Sequence, residues 1–241
     1  MTNQSDPLQP ILSNGEIELK GQFTHGNNYT FLVNVRCEGS EIQAVYKPAK
    51  GEQPLWDFPE NTLAGREVCA YLVSQALGFD LVPFTLLRDG PLGPGSLQQY
   101  IDYDPNYHYF TFKPAELDRL RPVVLFDLLI NNADRKGSHI LVEKGTRKLY
   151  LIDHGLCFHV EDKLRTVIWD FAGEPIPADL LSVLASFRAE LSAPGGLSVA
   201  LEPYLNPEEL DALRWRAGAL LESRQFPFPP EDRRAFPYPP V

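Results

Sequence analysis

The chain has 241 residues, 44% hydrophobic and 22% charged, enough for one substantial core or two lobes. Its net charge of −10 excludes a cationic duplex-binding or polybasic membrane surface, so no nucleic-acid partner is expected. Cys37, Cys69 and Cys157 form no CxxC pair, the opening "MTNQSDPLQP" lacks a signal-peptide layout, and no apolar run reaches the ~20 residues of a spanning helix, so reduced thiols and a cytoplasmic location are expected.

Residues 15–47 read as strands. "GEIELKGQF" and "YTFLVNV" flank the turn-rich "THGNN". In "EIQAVYKP", Ile42, Ala44 and Tyr46 alternate with Gln43, Val45 and Lys47 until Pro48 ends the run. Residues 61–78 predict a helix: Asn61 or Thr62 caps it, Cys69, Leu72, Val73 and Ala76 form its apolar stripe, and Gly78 closes it. "LVPFTLLRD" and "GSLQQYID" predict two more strands around a Gly/Pro turn. The first hundred residues are thus a mostly antiparallel sheet with one helix. After residue 113 the texture turns helical: "KPAELDRL" and "RPVVLFDLLINN" each place Pro at a helix start. "HILVE" and "LYLID" are short β segments around "KGTRK", and 178–193 and 206–224 are helical, the latter opened by Asn206-Pro207. The Pro-rich tail, 226–241, predicts an extended segment packed along a surface, with recognition of a protein partner as the other reading.

Chemistry concentrates in "NNADRKGSHI" and "LIDHGLCF". If 139–143 pairs antiparallel with 149–153, the connector is 144–148, Val142 faces Tyr150, and His139 faces Asp153. Asp134 lies just upstream at the same end, and Gly155 lets the backbone turn soon after the second acid. Two carboxylates and an imidazole so placed suit a divalent cation and a reacting hydroxyl, the needs of phosphoryl transfer. Neutralising either acid is expected to relieve repulsion between like charges. The phosphates need a cation. Lys47 supplies one, and Glu67, whose helix-face neighbours Leu63, Ala64, Ala70 and Tyr71 include no base, wants a partner such as Lys47. Asp127 inside "LFDLLI" reads as a buried acid bonded to backbone, and Arg135 as a brace of the loop. Asp153, His154, Cys157 and His159 would splay across two faces rather than close on zinc.

These motifs resemble those of the atypical kinases around the phosphatidylinositol 3- and 4-kinases, above all the type II phosphatidylinositol 4-kinases and small bacterial proteins classed with them. "LFDLLINNADR" is similar to that family's helix and Asn-x-Asp-Arg loop, and "LYLIDHGLCF" to its metal-binding segment, usually Ile-Asp-Asn-Gly-Leu-x-Phe. HipA-type kinases and Golgi casein kinases share the outline. The resemblance implies an α+β, two-lobed protein-kinase-like fold. Residues 1–97 would be an ATP-binding lobe, 98–225 a catalytic lobe, and 226–241 the tail. It implies ATP and Mg²⁺ or Mn²⁺ as cofactors. Lys47 would contact the α/β-phosphates, oriented by Glu67. Residues 96–100, with Gln98, Gln99 and Tyr100, would form the hinge for adenine. Asp134 would be the catalytic acid, with Asp153 and His139 on the metal. His139 stands where the family has Asn. A softer imidazole ligand implies a preference for Mn²⁺ and an activity that falls below pH ~6.5, as His139 takes a proton. "GQFTHGNN" departs from GxGxxG, leaving Gly21 and Gly26 as the glycines for a phosphate loop. Three classes follow: an active kinase, a pseudokinase serving as a nucleotide-binding or scaffold module, and a metal-dependent hydrolase on another fold. The acceptor is an unknown hydroxyl. The chain lacks the Cys-rich segment and basic patches of the lipid kinases, and it has no Ala-Pro-Glu after His154.

Overall fold

A computed structural model describes residues 8–23 and 28–241; Gly26 lies outside them. The described chain begins with a short helix, α1 (Gln9–Asn14), and a sheet of β1 (Glu16–Gln22), β2 (Phe31–Cys37), β3 (Ser40–Pro48), β4 (Thr85–Gly90) and β5 (Gly93–Gln99). The spatial order is β1-β2-β3-β5-β4, every pair antiparallel. Glu38 and Gly39 both take positive φ, so a two-residue turn whose twist suits the strands joins β2 to β3. β1 carries an irregularity between Leu19 and Gly21, where Gly21 is exposed. Leu12 of α1 sits under the sheet among Val33, Val35, Ala44, Tyr46, Phe84 and Leu97.

Helix α2 (Leu63–Ala76) crosses from the sheet to the rest of the chain. Neither Asn61 nor Thr62 caps it through a side chain. Thr62 bonds back to Pro59, and the Glu52 carboxylate instead accepts from the Leu63 and Ala64 amides (3.2 and 2.9 Å). Its apolar residues Cys69, Ala70 and Val73, with Leu77 just past its end, belong to the large core of the helical half. That half comprises α3 (Pro114–Leu117), α4 (Arg121–Ile130), β6 (Ile140–Val142), β7 (Leu149–Leu151), α5 (Ala178–Ser192), α6 (Leu197–Leu201) and α7 (Pro207–Ser223). "KPAELDRL" yields a single turn rather than a full helix, and α1 and α6 lie outside the sequence expectation. Asn206 and Glu209 cap α7 reciprocally. The Glu209 carboxylate also holds Arg66 of α2, a guanidinium with no solvent exposure that donates to the Cys157 carbonyl as well (2.6 Å).

The β6–β7 register differs from expectation by one residue: Val142 faces Leu149, not Tyr150. The Glu143 amide continues this register by donating to the Lys148 carbonyl (2.9 Å), Glu143 also bridges to Tyr103, and Gly145 and Arg147 take positive φ in the loop between. The Pro-rich tail does pack along the helical half, burying Phe226 and Ala235. No helix among the described residues is long and apolar enough to cross a membrane.

Removing one partner of a buried ion pair strands the other charge. Arg66→Ala is therefore expected to lower unfolding stability by about 3–5 kcal/mol at unchanged denaturant slope, read from urea unfolding curves.

Candidate active site

The loop after α4 is built around Arg135, which has no exposed surface. Asn131 ends α4 in the left-handed conformation. The Asp127 carboxylate then receives Arg135 Nε (3.1 and 2.9 Å) and Nη2 (3.0 Å), and Asn132 (3.1 Å). Asp127 is thus buried as expected, but its carboxylate bonds to side chains rather than to backbone. Arg135 also donates to the carbonyls of His139 (3.3 Å) and Ile152 (2.9 Å), and to His154 Nε2 (2.9 Å). One guanidinium therefore ties α4 to both ends of the hairpin. The Ile152 amide donates to the His139 carbonyl (3.1 Å), so the shifted register still leaves His139 beside Asp153.

Asp153 takes φ +63°, a conformation that turns the chain out of β7. Its Oδ1 receives the Lys47 ammonium (2.8 Å), and its Oδ2 lies 3.4 Å from His139 Nε2. Lys47 is also ion-paired to Glu67 of α2, as the lone acid on that helix face suggested. Glu67 accepts in addition from the His154 amide (3.0 Å). Burial opposes charge on both partners of this pair, yet attraction wins. Glu67 is lowered to about 2 by Lys47 and His154, and Lys47 is raised by Asp153 and Glu67. Lys47 also holds Asp153 well below the usual carboxylate range. Neutralising Asp153 thus removes an attraction, contrary to the expected relief of repulsion.

Asp134 behaves in the opposite way. Its side chain is a quarter exposed (26%), Lys136 lies 3.2 Å away, and its amide donates to Asn132 Oδ1 (2.9 Å). Burial pushes its pKa up to about 6, against the pull of Lys136. Lys136 was not singled out in the sequence; its place beside Asp134 in "NNADRK" was the available signal.

His139 overturns one expectation. Burial lowers its pKa to about 4, so it is neutral at pH 6.5 and cannot set an acid limb there. Its Nδ1 is buried with no hydrogen-bond partner. Metal ligation through Nε2 would place the ring proton on that nitrogen, without an acceptor. A carboxylate and a neutral imidazole side by side nonetheless suit a divalent cation completed by water and phosphate oxygens. Among the described residues no cluster of three or more His, Cys, Asp or Glu forms a closed metal cage, and Cys157 and His154 are buried apart from solvent.

Lys47, His139 and Asp153 line one end of a cleft of about 380 Å³. Val45, Gln98, Gln99, Tyr100, Ile101, Leu141 and Ile152 are among the other residues that line it. The expected hinge residues therefore reach the cleft. The Gln99 and Tyr100 amides, however, already donate to Phe84 (2.9 Å) and Gln43 (3.2 Å), and the Gln98 side chain donates to Thr85 (2.8 Å). Beyond them, the Asp102 carbonyl accepts from the Lys144 amide (2.9 Å) and Tyr103 bridges to Glu143.

No family model matches the chain. It is 40% identical over 269 aligned positions to Protein Rv2133c of Mycobacterium tuberculosis, covering 97% of this chain and 95% of that one, and it belongs to that protein's family. It is a distant, partial homologue of phosphatidylinositol 4-kinase gamma 3 of Arabidopsis thaliana, 29% identical over 103 residues, which are 40% of this chain and 18% of that enzyme. Among solved structures it resembles hydra Fam20 with sugar (TM-score 0.57, 15% identity, 92% and 90% of the two chains). It also resembles the Helicobacter pylori proinflammatory kinase CtkA (TM-score 0.53, 12% identity, 88% and 93%). The fold is kinase-like, so a hydrolase on another fold is set aside.

The raised pKa of Asp134 has a consequence for stability. The folded chain binds its proton more tightly than the unfolded chain does, so parent stability falls as pH rises from about 4 to about 6. Asp134→Asn lacks that loss. It is expected to be more stable than the parent above pH 6, by about 1–3 kcal/mol, and to match it below pH ~4 in pH-dependent urea unfolding.

Proposed function

We propose that this member of the Rv2133c family is an ATP-dependent phosphotransferase that moves the γ-phosphate of ATP to an acceptor hydroxyl. The observation that carries the reading is the Lys47 ammonium held at once by Glu67 and Asp153, at the end of a cleft of nucleotide size beside His139. Lys47 receives the α/β-phosphates, and Glu67, anchored by the His154 amide, keeps it in place. Adenine lies along 98–103, meeting the Ile101 backbone rather than the paired amides of Gln99 and Tyr100. Asp153 and His139 would hold Mg²⁺ or Mn²⁺, which supplies charge neutralisation at the transferred phosphoryl group. Asp134 orients the acceptor hydroxyl and takes up its proton. A pKa near 6 leaves it ionised at neutral pH and still basic enough to share a proton. Lys136, beside it, favours the ionised form of Asp134 before the proton is taken up.

The acceptor is a protein, lipid or small molecule bearing a hydroxyl. The alternative, a pseudokinase, draws on His139 standing where the resembling kinases have Asn, and on the buried, unpartnered Nδ1. Metal-dependent thermal stabilisation by ATP tests nucleotide binding, and radiolabelled phosphate transfer tests chemistry. Binding without any transfer to the chain itself, water or an acceptor panel would select the pseudokinase.

Asp134→Asn is expected to lower transfer by about 10²–10⁴-fold while retaining metal-dependent ATP binding. Asp153→Asn is expected to lose both. The parent's activity is expected to fall on the acid side with a midpoint near pH 6, as Asp134 takes up a proton, and not to track His139. Parent kinetics from pH 5 to 8 check this.

His139→Asn replaces the imidazole nitrogen with a harder amide oxygen. It is expected to tighten metal-dependent ATP binding and to shift preference from Mn²⁺ toward Mg²⁺. Parallel titrations with both metals decide, and identical ratios in parent and variant would remove His139 from the ligand set.

A further inference from the structure

The Pro-rich tail does more than cover a surface. The Gly137 amide, between Asp134 and His139, donates to the Pro240 carbonyl (2.8 Å). The Ala235 carbonyl accepts from the Thr166 amide (3.1 Å) and the Trp169 indole (3.3 Å). Arg233 donates to the Leu164 carbonyl (2.7 Å) and pairs with Asp162 (2.6 Å). The segment these residues grip is itself paired to the Asp134 loop. The Arg135 amide donates to Arg165 (2.9 Å), the Val167 amide donates to Arg135 (3.2 Å), and the Arg165 amide donates to Asn132 (2.9 Å). The tail thus reaches the loop twice, once directly at Gly137 and once through 164–167.

The grip is almost entirely polar. Phe236 and Tyr238 are 49% and 78% exposed, and Val241 is half-exposed, so the last residues add little apolar burial to the fold. What they supply is a set of carbonyl acceptors on a backbone whose prolines leave it little conformational freedom to lose. Gly137 has reason to be glycine here: a Cβ would stand 2.8 Å from the Phe110 ring, which covers the loop on another side.

We propose that residues 233–241 are a positioning strap for the Asp134 loop, setting catalytic geometry rather than global stability. The proposal rests on Asp134 being the residue that handles the acceptor hydroxyl. A displacement of that carboxylate by about 1 Å is enough to cost rate without touching the nucleotide cleft.

The test is the chain ending at Ala235, which loses the Gly137 acceptor and keeps Arg233. Metal-dependent ATP turnover is measured as kcat and KM, and amide hydrogen exchange is followed across 133–140. The strap predicts a kcat lower by about 10- to 100-fold, a KM for ATP within about twofold of the parent, and faster exchange at 133–140 with the α5 and α7 amides unchanged. Adding a peptide of residues 229–241 to a chain ending at Phe228 is expected to restore part of the protection and of kcat. Unchanged exchange in the loop overturns the proposal, as does a rise in kcat, which would make the tail a blocking segment. If the full chain shows no turnover, the kinase reading fails while the exchange data still decide on the strap. Should both shortened chains fail to fold, Arg233→Gln carries the same exchange and kcat readouts.

Discussion

The buried pair of Arg135 and Asp127 is the constraint on which the site depends. A guanidinium removed from water needs nearly all its donors satisfied. Here the partners are the Asp127 carboxylate, two carbonyls from the two ends of the β6–β7 hairpin, and the His154 ring. Satisfying Arg135 therefore fixes the end of α4, the start of β6 and the exit of β7 relative to one another. Asp134 and Asp153 are carried by those three segments. Their convergence is a by-product of solving a desolvation problem one residue away from Asp134.

The same economy appears in the three charged groups around Lys47. Asp153 and Glu67 would repel one another if left alone in a partly buried cleft. The ammonium between them holds both ionised, and the His154 amide takes the remaining Glu67 oxygen. Asp134, outside this ion-paired group, has Lys136 and the more distant Arg165 for cations, and burial outweighs them and raises its pKa. Two aspartates of one site thus end up at opposite ends of the carboxylate range for reasons of neighbourhood alone.

Much of this was legible in the sequence, and the failures have physical causes. The strands and long helices follow from period and from turn residues, and the pairing of Lys47 with Glu67 follows from a charge alone on an otherwise neutral helix face. The hairpin was found from apolar pattern, but its register was not. "HILVE" and "LYLID" are buried on both faces at 140–142 and 149–151, so alternation could not choose between adjacent registers. His139 was misjudged in its titration because its burial depends on packing from β7 and the cleft, which no local pattern reports. That the amides of Gln99 and Tyr100 serve the sheet was not legible either, since the end of pairing is set by β3 and β4 and not by β5 itself. α1 is a single amphipathic turn or two, too short for periodicity to register.

Arg66 and Glu67 are consecutive on α2 and so point about a quarter-turn apart around the helix. One is fastened to α7 through Glu209 and to the Cys157 carbonyl; the other is fastened to the sheet through Lys47. A helix gripped on two sides by ion pairs, one of them with almost no solvent exposure, is a rivet between the sheet and the helical half: neither can shift against it without parting a charge from its partner.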